Sequence, residues 1–321
     1  VRRKDIEQVG NAASLLLGWS ARYGGVLLGA CVFLGVLVPP LARLFHPIIA
    51  PSIIGLMTLV LLRVDIPAAI AHLRRPGRLA VMVGFHALVC PVIAWAVVEG
   101  LRLDAGIAAG VVIFATGCAA TSGAAFARMV GLDPELSLIA TLVTTILVPL
   151  TAPPMVYGLI GVDLSISLHA FAGRLGLVVG LPLLLSMALR RAIGAARLAP
   201  HGPAVDGAVV WLVIIYGVGV MDGLAARLLA DPWWVGQALA AAVVADFGLN
   251  LVTTVVLAPF GWRAAASAGM LSGNRNMALY LAVLPAAADP RLALFFALCQ
   301  FPLFLSPFLL RPIYRWVGRF G

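Results

Sequence analysis

Apolar residues run in long blocks along nearly the whole chain, separated by short clusters of arginine, proline, aspartate and glycine. A helix needs ~20 mostly apolar residues to cross the hydrocarbon core of a bilayer, and blocks of that size recur from Tyr23 to Val317. They fall at about residues 23–44, 46–63, 79–100, 105–128, 134–160, 165–190, 207–229, 235–258, 262–286 and 291–317. The pattern predicts an all-α, polytopic membrane protein with ten transmembrane helices. Only the His46-Pro47 turn separates the first two spans. Residues 1–22 are polar, then amphipathic (Ile6, Val9, Leu15, Leu16, Trp19), and read as an N-terminal interfacial segment.

Composition agrees with the pattern. Of the 321 residues, 62% are hydrophobic and 11% charged, against roughly 25% charged in a soluble domain. The net charge of +9 does not mark a nucleic-acid surface, because the basic residues sit in short loops and at the chain ends. With the N-terminus placed inside, sixteen of the 22 basic residues fall in inside segments, four fall outside, and Arg174 and Arg275 lie within spans. That bias puts both termini in the cytoplasm, and the expected location is a bacterial inner membrane with the lipid bilayer as partner. No cleavable signal peptide is expected. Cys31, Cys90, Cys118 and Cys299 all lie in apolar blocks and read as buried free thiols. Nothing in the chain fixes an oligomeric state.

The chain also repeats. Gly117–Gly123 in the fourth span and Gly269–Asn274 in the ninth are both rich in small residues and carry Ser-Gly pairs 150 positions apart. A proline-bearing span follows each (Pro149; Pro302 and Pro307). The halves are residues 23–160 and 161–321. Five spans per half is odd, so the second half enters the membrane inverted. A helix interrupted in hydrocarbon exposes N–H and C=O groups that need partners, and a cavity holding a solute or ion supplies them. Close small-residue packing is the structural alternative.

Arg275 lies near the middle of the ninth span, between Asn274 and Asn276. A mid-membrane arginine costs about 3 kcal/mol unless it faces a polar cavity or a partner. A bound carboxylate, sulfonate or phosphate would suit it, and Asp246 is the internal alternative. Ser272, Thr121 and Ser122 flank the same interruptions and complete the substrate-binding candidates. Removing Arg275 is expected to abolish uptake in a protein that still folds. The ion-coupling candidates include Asp246 and Asn250, one turn apart on one face, and His86, five residues before Pro91. Ser137, Thr141, Thr144 and Thr145 form a hydroxyl stripe on the fifth span, although such groups also bond their own backbone. Arg174 and His169 receive no role.

Three stretches together resemble the bile acid:sodium symporter superfamily. They are Ala71-His72-Leu73-Arg74-Arg75-Pro76 leading to Cys90-Pro91; Gly117–Gly123 running on through Ser137, Thr141 and Pro149; and Gly269-Met270 with Ser272–Ala278. The resemblance runs from about Val64 to Pro312. It implies two inverted five-helix repeats, a panel domain of helices 1, 2, 6 and 7, and a core domain of helices 3–5 and 8–10. It also implies discontinuous helices 4 and 9 that cross, with alternating access between the two domains. Sodium is the ion it implies; no other cofactor is expected. At the family's sodium sites a Ser-Asn pair matches Gly123 and Ala124, a Ser and a Thr match Ser137 and Thr141, and a Gln matches His86. A shared Glu falls at Ser267 and a further Gln at Leu271. Most side-chain ligands are therefore replaced, and the anionic one is gone.

The leading expectation is a secondary active transporter of a small organic anion, with sodium or a proton as coupling ion. A metalloid oxyanion efflux carrier of the same superfamily is the alternative, resting on Cys118. A receptor without transport is compatible with the composition. An intramembrane enzyme would need Ser272 or Ser122 paired with His86, and no motif sets that geometry. The chain is not expected to be an enzyme.

Overall fold

The computed structural model describes residues 16–20, 22–62, 76–160, 166–285 and 288–317. Most of the N-terminal interfacial segment and Ala71–Arg75 lie outside the described residues. The elements are α1 (Gly24–Leu37), α2 (Pro39–Leu62), α3 (Gly77–Leu101), α4 (Ala105–Thr116), α5 (Gly123–Val130), α6 (Pro134–Ile160) and α7 (Leu168–Ile193). They continue with α8 (Gly202–Ala230), α9 (Pro232–Phe260), α10 (Trp262–Gly273), α11 (Met277–Val283), α12 (Pro290–Leu309) and α13 (Arg311–Val317).

The protein is an all-α, polytopic membrane protein. Among the described residues, seven helices (α2, α3, α6, α7, α8, α9 and α12) are long and apolar enough to cross a bilayer. Stretches within α1 and α4 are shorter apolar helices. Leu37 and Leu150 are 78% and 73% exposed, which is where lipid rather than water serves as solvent.

Local chemistry explains where the helices start. Asp104, Asp133, Asp231 and Asp289 immediately precede α4, α6, α9 and α12, and each carboxylate accepts from backbone N–H groups of the first turn. Three of the four are followed by proline, which sits without penalty at the first helical position because its missing N–H would be unpaired there. Nearly a third of the 13 acidic residues are thereby helix caps rather than candidates for chemistry.

One predicted boundary moves. The chain does not break at His46-Pro47: α2 runs through that point as a single 3-10 turn, His46–Ile48. The break falls at Val38 instead (φ −123°, ψ 71°). Pro39 and Pro40 explain it. The residue before a proline is driven out of the helical region, and Pro39 then opens α2 at no cost.

The chain divides into two compact units. The first comprises Val1–Val64 and Gly180–Ala225. Within it α8 packs closely on α1 and α2: a Cβ at Gly35 would lie 2.9 Å from the Val218 carbonyl oxygen, and one at Gly217 would lie 2.8 Å from the Cys31 sulfur. The second comprises Asp65–Val179 and Ala226–Gly321, and it contains every residue singled out for chemistry. Here Asp104 joins three helix ends. It accepts from the Trp234 indole at 3.3 Å and lies 3.7 Å from the Arg291 guanidinium, which gathers the starts of α4, α9 and α12 on one side.

Candidate functional site

The site is built on two interruptions. The chain leaves helical geometry between α4 and α5 (Gly117–Ser122) and again between α10 and α11 (Asn274–Asn276). The two stretches pair antiparallel at Ala119 and Arg275. Ala120 N–H donates to the Asn274 carbonyl at 2.8 Å, and Asn276 N–H donates to the Cys118 carbonyl at 2.8 Å. Ala119 N–H is taken by the Thr144 hydroxyl at 3.2 Å. Each interruption thus satisfies part of the backbone that the other exposes, as an apolar environment demands.

Three carbonyls around the crossing lack a helical N–H, each for an identifiable reason. Gly117 follows the last turn of α4, with extended backbone (φ −62°, ψ 151°), so no helical N–H reaches its oxygen. Ser272 would have received the N–H of Asn276, which goes to Cys118 instead. His86 lies in a π-helical segment, Phe85–Val89, in which Cys90 N–H bonds Phe85. The next N–H in that register would come from residue 91, which is proline. Pro91 therefore leaves the His86 carbonyl open.

Arg275 closes all three. Its Nε donates to Ser272 O at 2.7 Å, Nη1 to Gly117 O at 2.6 Å and Nη2 to His86 O at 3.1 Å. The side chain is 1% exposed. The sequence offered an anionic ligand or Asp246 as its partner; the guanidinium instead holds backbone carbonyls from three segments. A charge-assisted hydrogen bond contributes about 1.5–3 kcal/mol, and a guanidinium has five N–H donors in a fixed plane. Cys90 is a further side-chain neighbour of the guanidinium, and the positive charge remains.

The other predicted residues divide. Asn274 and Asn276 lie in the pairing, and Asn274 Oδ1 accepts from the Ser306 hydroxyl at 2.8 Å. The Ser272 hydroxyl and Asn274 Nδ2 are buried without a partner among the described residues. His86 donates from Nε2 to Gly117 O at 3.1 Å, because a carbonyl can only accept. His86 is thus tied to the crossing through Nε2, and among the described residues it makes no hydrogen bond to Ser272 or Ser122. Thr121 and Ser122 are half-buried in the turn leading into α5. Asn250 turns to the Tyr314 hydroxyl. Cys118 is 1% exposed. Arg174 donates to Val283 O at the end of α11, at 3.2 Å.

The positions matching the family's sodium ligands do not form a cation site. The Ser137 and Ser267 hydroxyls donate to their own helices, at Asp133 O and Arg263 O. A Cβ at Gly123 would lie 2.8 Å from Leu271 Cδ2 and 3.2 Å from Thr141 Oγ1, so the Leu271 side chain takes the space where a liganding side chain would project. Thr141 Oγ1 is buried without a partner. Leu271 also joins Leu79, Val83, Ala119, Ile139 and Ala140 in an apolar cluster. No carboxylate is among these positions, and the residues present do not fit a sodium ion.

A sequence model of the sodium bile acid symporter family matches residues 50–221, more than half of the chain. The chain belongs to this family. It is therefore a member of a family of secondary transporters. A comparison with individually curated proteins gives no match. Arg275, Asp246 and the second interruption lie beyond the stretch that the symporter family model matches.

Several participants could not be singled out from the sequence. Tyr280, fully buried, packs between Phe171 and Phe296 and shares a 2.7 Å hydrogen bond with the Thr116 hydroxyl at the end of α4. Thr116 Oγ1 already donates to Ile113 O at 2.7 Å, so the tyrosine is the donor of the pair. Thr116→Val, which strands the phenol, is expected to cost about 1–3 kcal/mol, and Tyr280→Phe, which strands nothing that must donate, about 1 kcal/mol. Thermal unfolding in detergent checks that order; equal losses would put the bond's donor elsewhere. Gln300 is the exception: a lone amide inside an apolar span was legible as a signal.

Proposed function

We propose that this protein is a secondary transporter that carries a small organic anion by alternating access, with the paired interruptions as the substrate site. Arg275, Asn274, Asn276, Ser272, Thr121 and Ser122 are the contacts we assign to the substrate. The observation that carries the reading is the Arg275 charge. It is buried where two helix interruptions meet, and among the described residues its partners, three carbonyls and the Cys90 side chain, include no carboxylate in hydrogen-bond contact. Carbonyl dipoles orient a guanidinium but leave its net charge in place, and a buried net charge favours a counterion. The unpartnered Ser272 hydroxyl and Asn274 amide supply donors of the kind a carboxylate or sulfonate accepts.

We read the fold as ten helices in two inverted repeats. The matched glycine-rich interruptions, one per half, support that reading. The two compact units support assigning helices 1, 2, 6 and 7 to a panel domain and the rest to a core domain. The distribution of arginines supports cytoplasmic termini. The lack of a fitting sodium site at Ser137, Thr141, His86 and Ser267 favours a proton over sodium.

Thermal-shift screening of the detergent-solubilised protein tests the substrate class. Short aliphatic mono- and dicarboxylates and alkyl sulfonates are the probes, with their neutral amides as controls. Stabilisation by at least one acid, none by its amide, and no change when potassium replaces sodium is the expected result. Stabilisation by amides alone, or by sodium alone, would overturn the assignment.

A further inference from the structure

We infer that Asp246 carries the coupling proton, and that its protonation is what allows Arg275 to accept an anion. This rests on the transport reading above and names the missing ion.

Asp246 lies near the middle of α9 and is 0% exposed. Neither carboxylate oxygen has a hydrogen-bond partner among the described residues. The carboxylate lies against the end of α10: Oδ1 is 3.1 Å from where a Cβ on Gly273 would stand. Gly273 adjoins Ser272 and Asn274, whose hydroxyl and amide nitrogen are also unpartnered. Gln300 Oε1, at the turn within α12, is a further buried acceptor without a donor. This side chain therefore sits beside the crossing, enclosed by protein, with no built-in neutraliser in contact.

The surrounding titratable groups narrow its role. Arg275 is the cation within electrostatic reach of the carboxylate, yet its N–H groups point to Ser272, Gly117 and His86. Cys299, from α12, and Tyr314, from α13, are the other titratable neighbours within reach. From α3, Cys90 faces Thr253 on the same helix as Asp246, at 3.7 Å. Thiols and phenols are neutral near pH 7. The His86 imidazole is also within electrostatic reach of Arg275 and is tied through Nε2 to Gly117 O, so the guanidinium and the Asp246 carboxyl are the two groups of opposite charge here.

Two arrangements keep that charge near zero. With Asp246 ionised, it offsets Arg275 at a distance and no anion is needed. With Asp246 protonated, Arg275 is unbalanced and a monoanion restores neutrality. The proton comes from water on one face, resides on a carboxyl oxygen and leaves to water on the other, and no other bond changes. One proton and one monoanion move together, so the cycle carries no net charge. A buried charge without a counterion is costly, and this suppresses the two mixed states, anion without proton and proton without anion.

Infrared difference spectroscopy between about pH 5 and about pH 9 tests this on the full chain in detergent, with the proton itself as probe. The expected result is a carboxylic-acid C=O band of a buried group that fades as pH rises. It should be lost in Asp246→Asn and unchanged when sodium replaces potassium. Should the Asn variant fail to fold, Asp246→Glu is expected to fold and shift the band. A spectrum without such a band at any pH, a band unmoved by either variant, or one that sodium abolishes at fixed pH would overturn the proposal. The readout needs no substrate. A missing band with acids still stabilising the protein sinks Asp246 alone, whereas a normal band with no acid binding sinks the transport reading.

Discussion

Arg275→Ala is expected to unfold in detergent at a much lower temperature than the wild type. The substitution removes three donors at once, leaves Ser272 O and His86 O buried and unpaired, and leaves Gly117 O with His86 Nε2 as its one donor among the described contacts. Each orphaned group costs about 1–3 kcal/mol, and the emptied volume adds a cavity. The sequence suggested that a variant at this position would lose uptake and keep its fold; the three carbonyls put stability at stake as well. Arg275→Lys should fall between the two, since an ammonium is a compact donor that cannot span three acceptors in one plane. Guanidinium ion at low millimolar concentration should raise the unfolding temperature of the Ala variant and not that of the wild type. If the Ala variant melts with the wild type, the guanidinium does not hold the two interruptions together.

Gly273→Ala carries the second large expected effect. The end of α10 lies on α9 so closely that a Cβ here would stand 2.5 Å from the Asp246 carbonyl oxygen and 3.1 Å from the Asn250 Cβ. One turn earlier, Gly269 meets the Asn250 carbonyl at the same 2.5 Å. The Gly269–Gly273 spacing is the small-residue pattern that lets two membrane helices approach at backbone distance. Backbone atoms cannot rotate out of the way, so the helices must separate, at about 1–3 kcal/mol per added methyl. Gly248→Ala, in α9, is the control. Nothing lies within 4 Å of its Cβ position, and the change should be neutral or stabilising by about 0.5–1 kcal/mol. Chemical denaturation or thermal unfolding of the two variants checks the order. Equal behaviour of Gly273→Ala and Gly248→Ala would remove close packing as the reason for glycine at the crossing.

The two sets of residues proposed for substrate and ion thus have unequal standing in the fold. Arg275, His86 and Asn274 hold the crossing together and also define its charge, so their variants mix stability with function. Asp246 holds nothing among the described contacts, and its variants report on charge more directly.

Much of this protein is legible in one dimension. Where apolar blocks exceed ~20 residues the solvent must be lipid and the backbone must be helical, because hydrocarbon offers no other partner for N–H and C=O groups. Aspartates before prolines mark helix starts, and both glycine-rich interruptions stand out against their blocks. The His46-Pro47 break was misplaced since a proline tells only that its own N–H is missing; it was Pro39-Pro40 that turned the chain. What only the tertiary structure decided is who meets whom. The carbonyls bound by Arg275 at Gly117 and His86 lie 158 and 189 residues away. Leu271 fills the space beside Gly123 from a different helix, and Asp246 lies beside Gly273 yet out of bonding contact with the guanidinium. Propensity, capping and hydropathy are sums over neighbouring residues and so can be read in order along the chain. A hydrogen bond's partner is set by the distance between segments that the sequence holds far apart, and that distance exists only after the helices have packed.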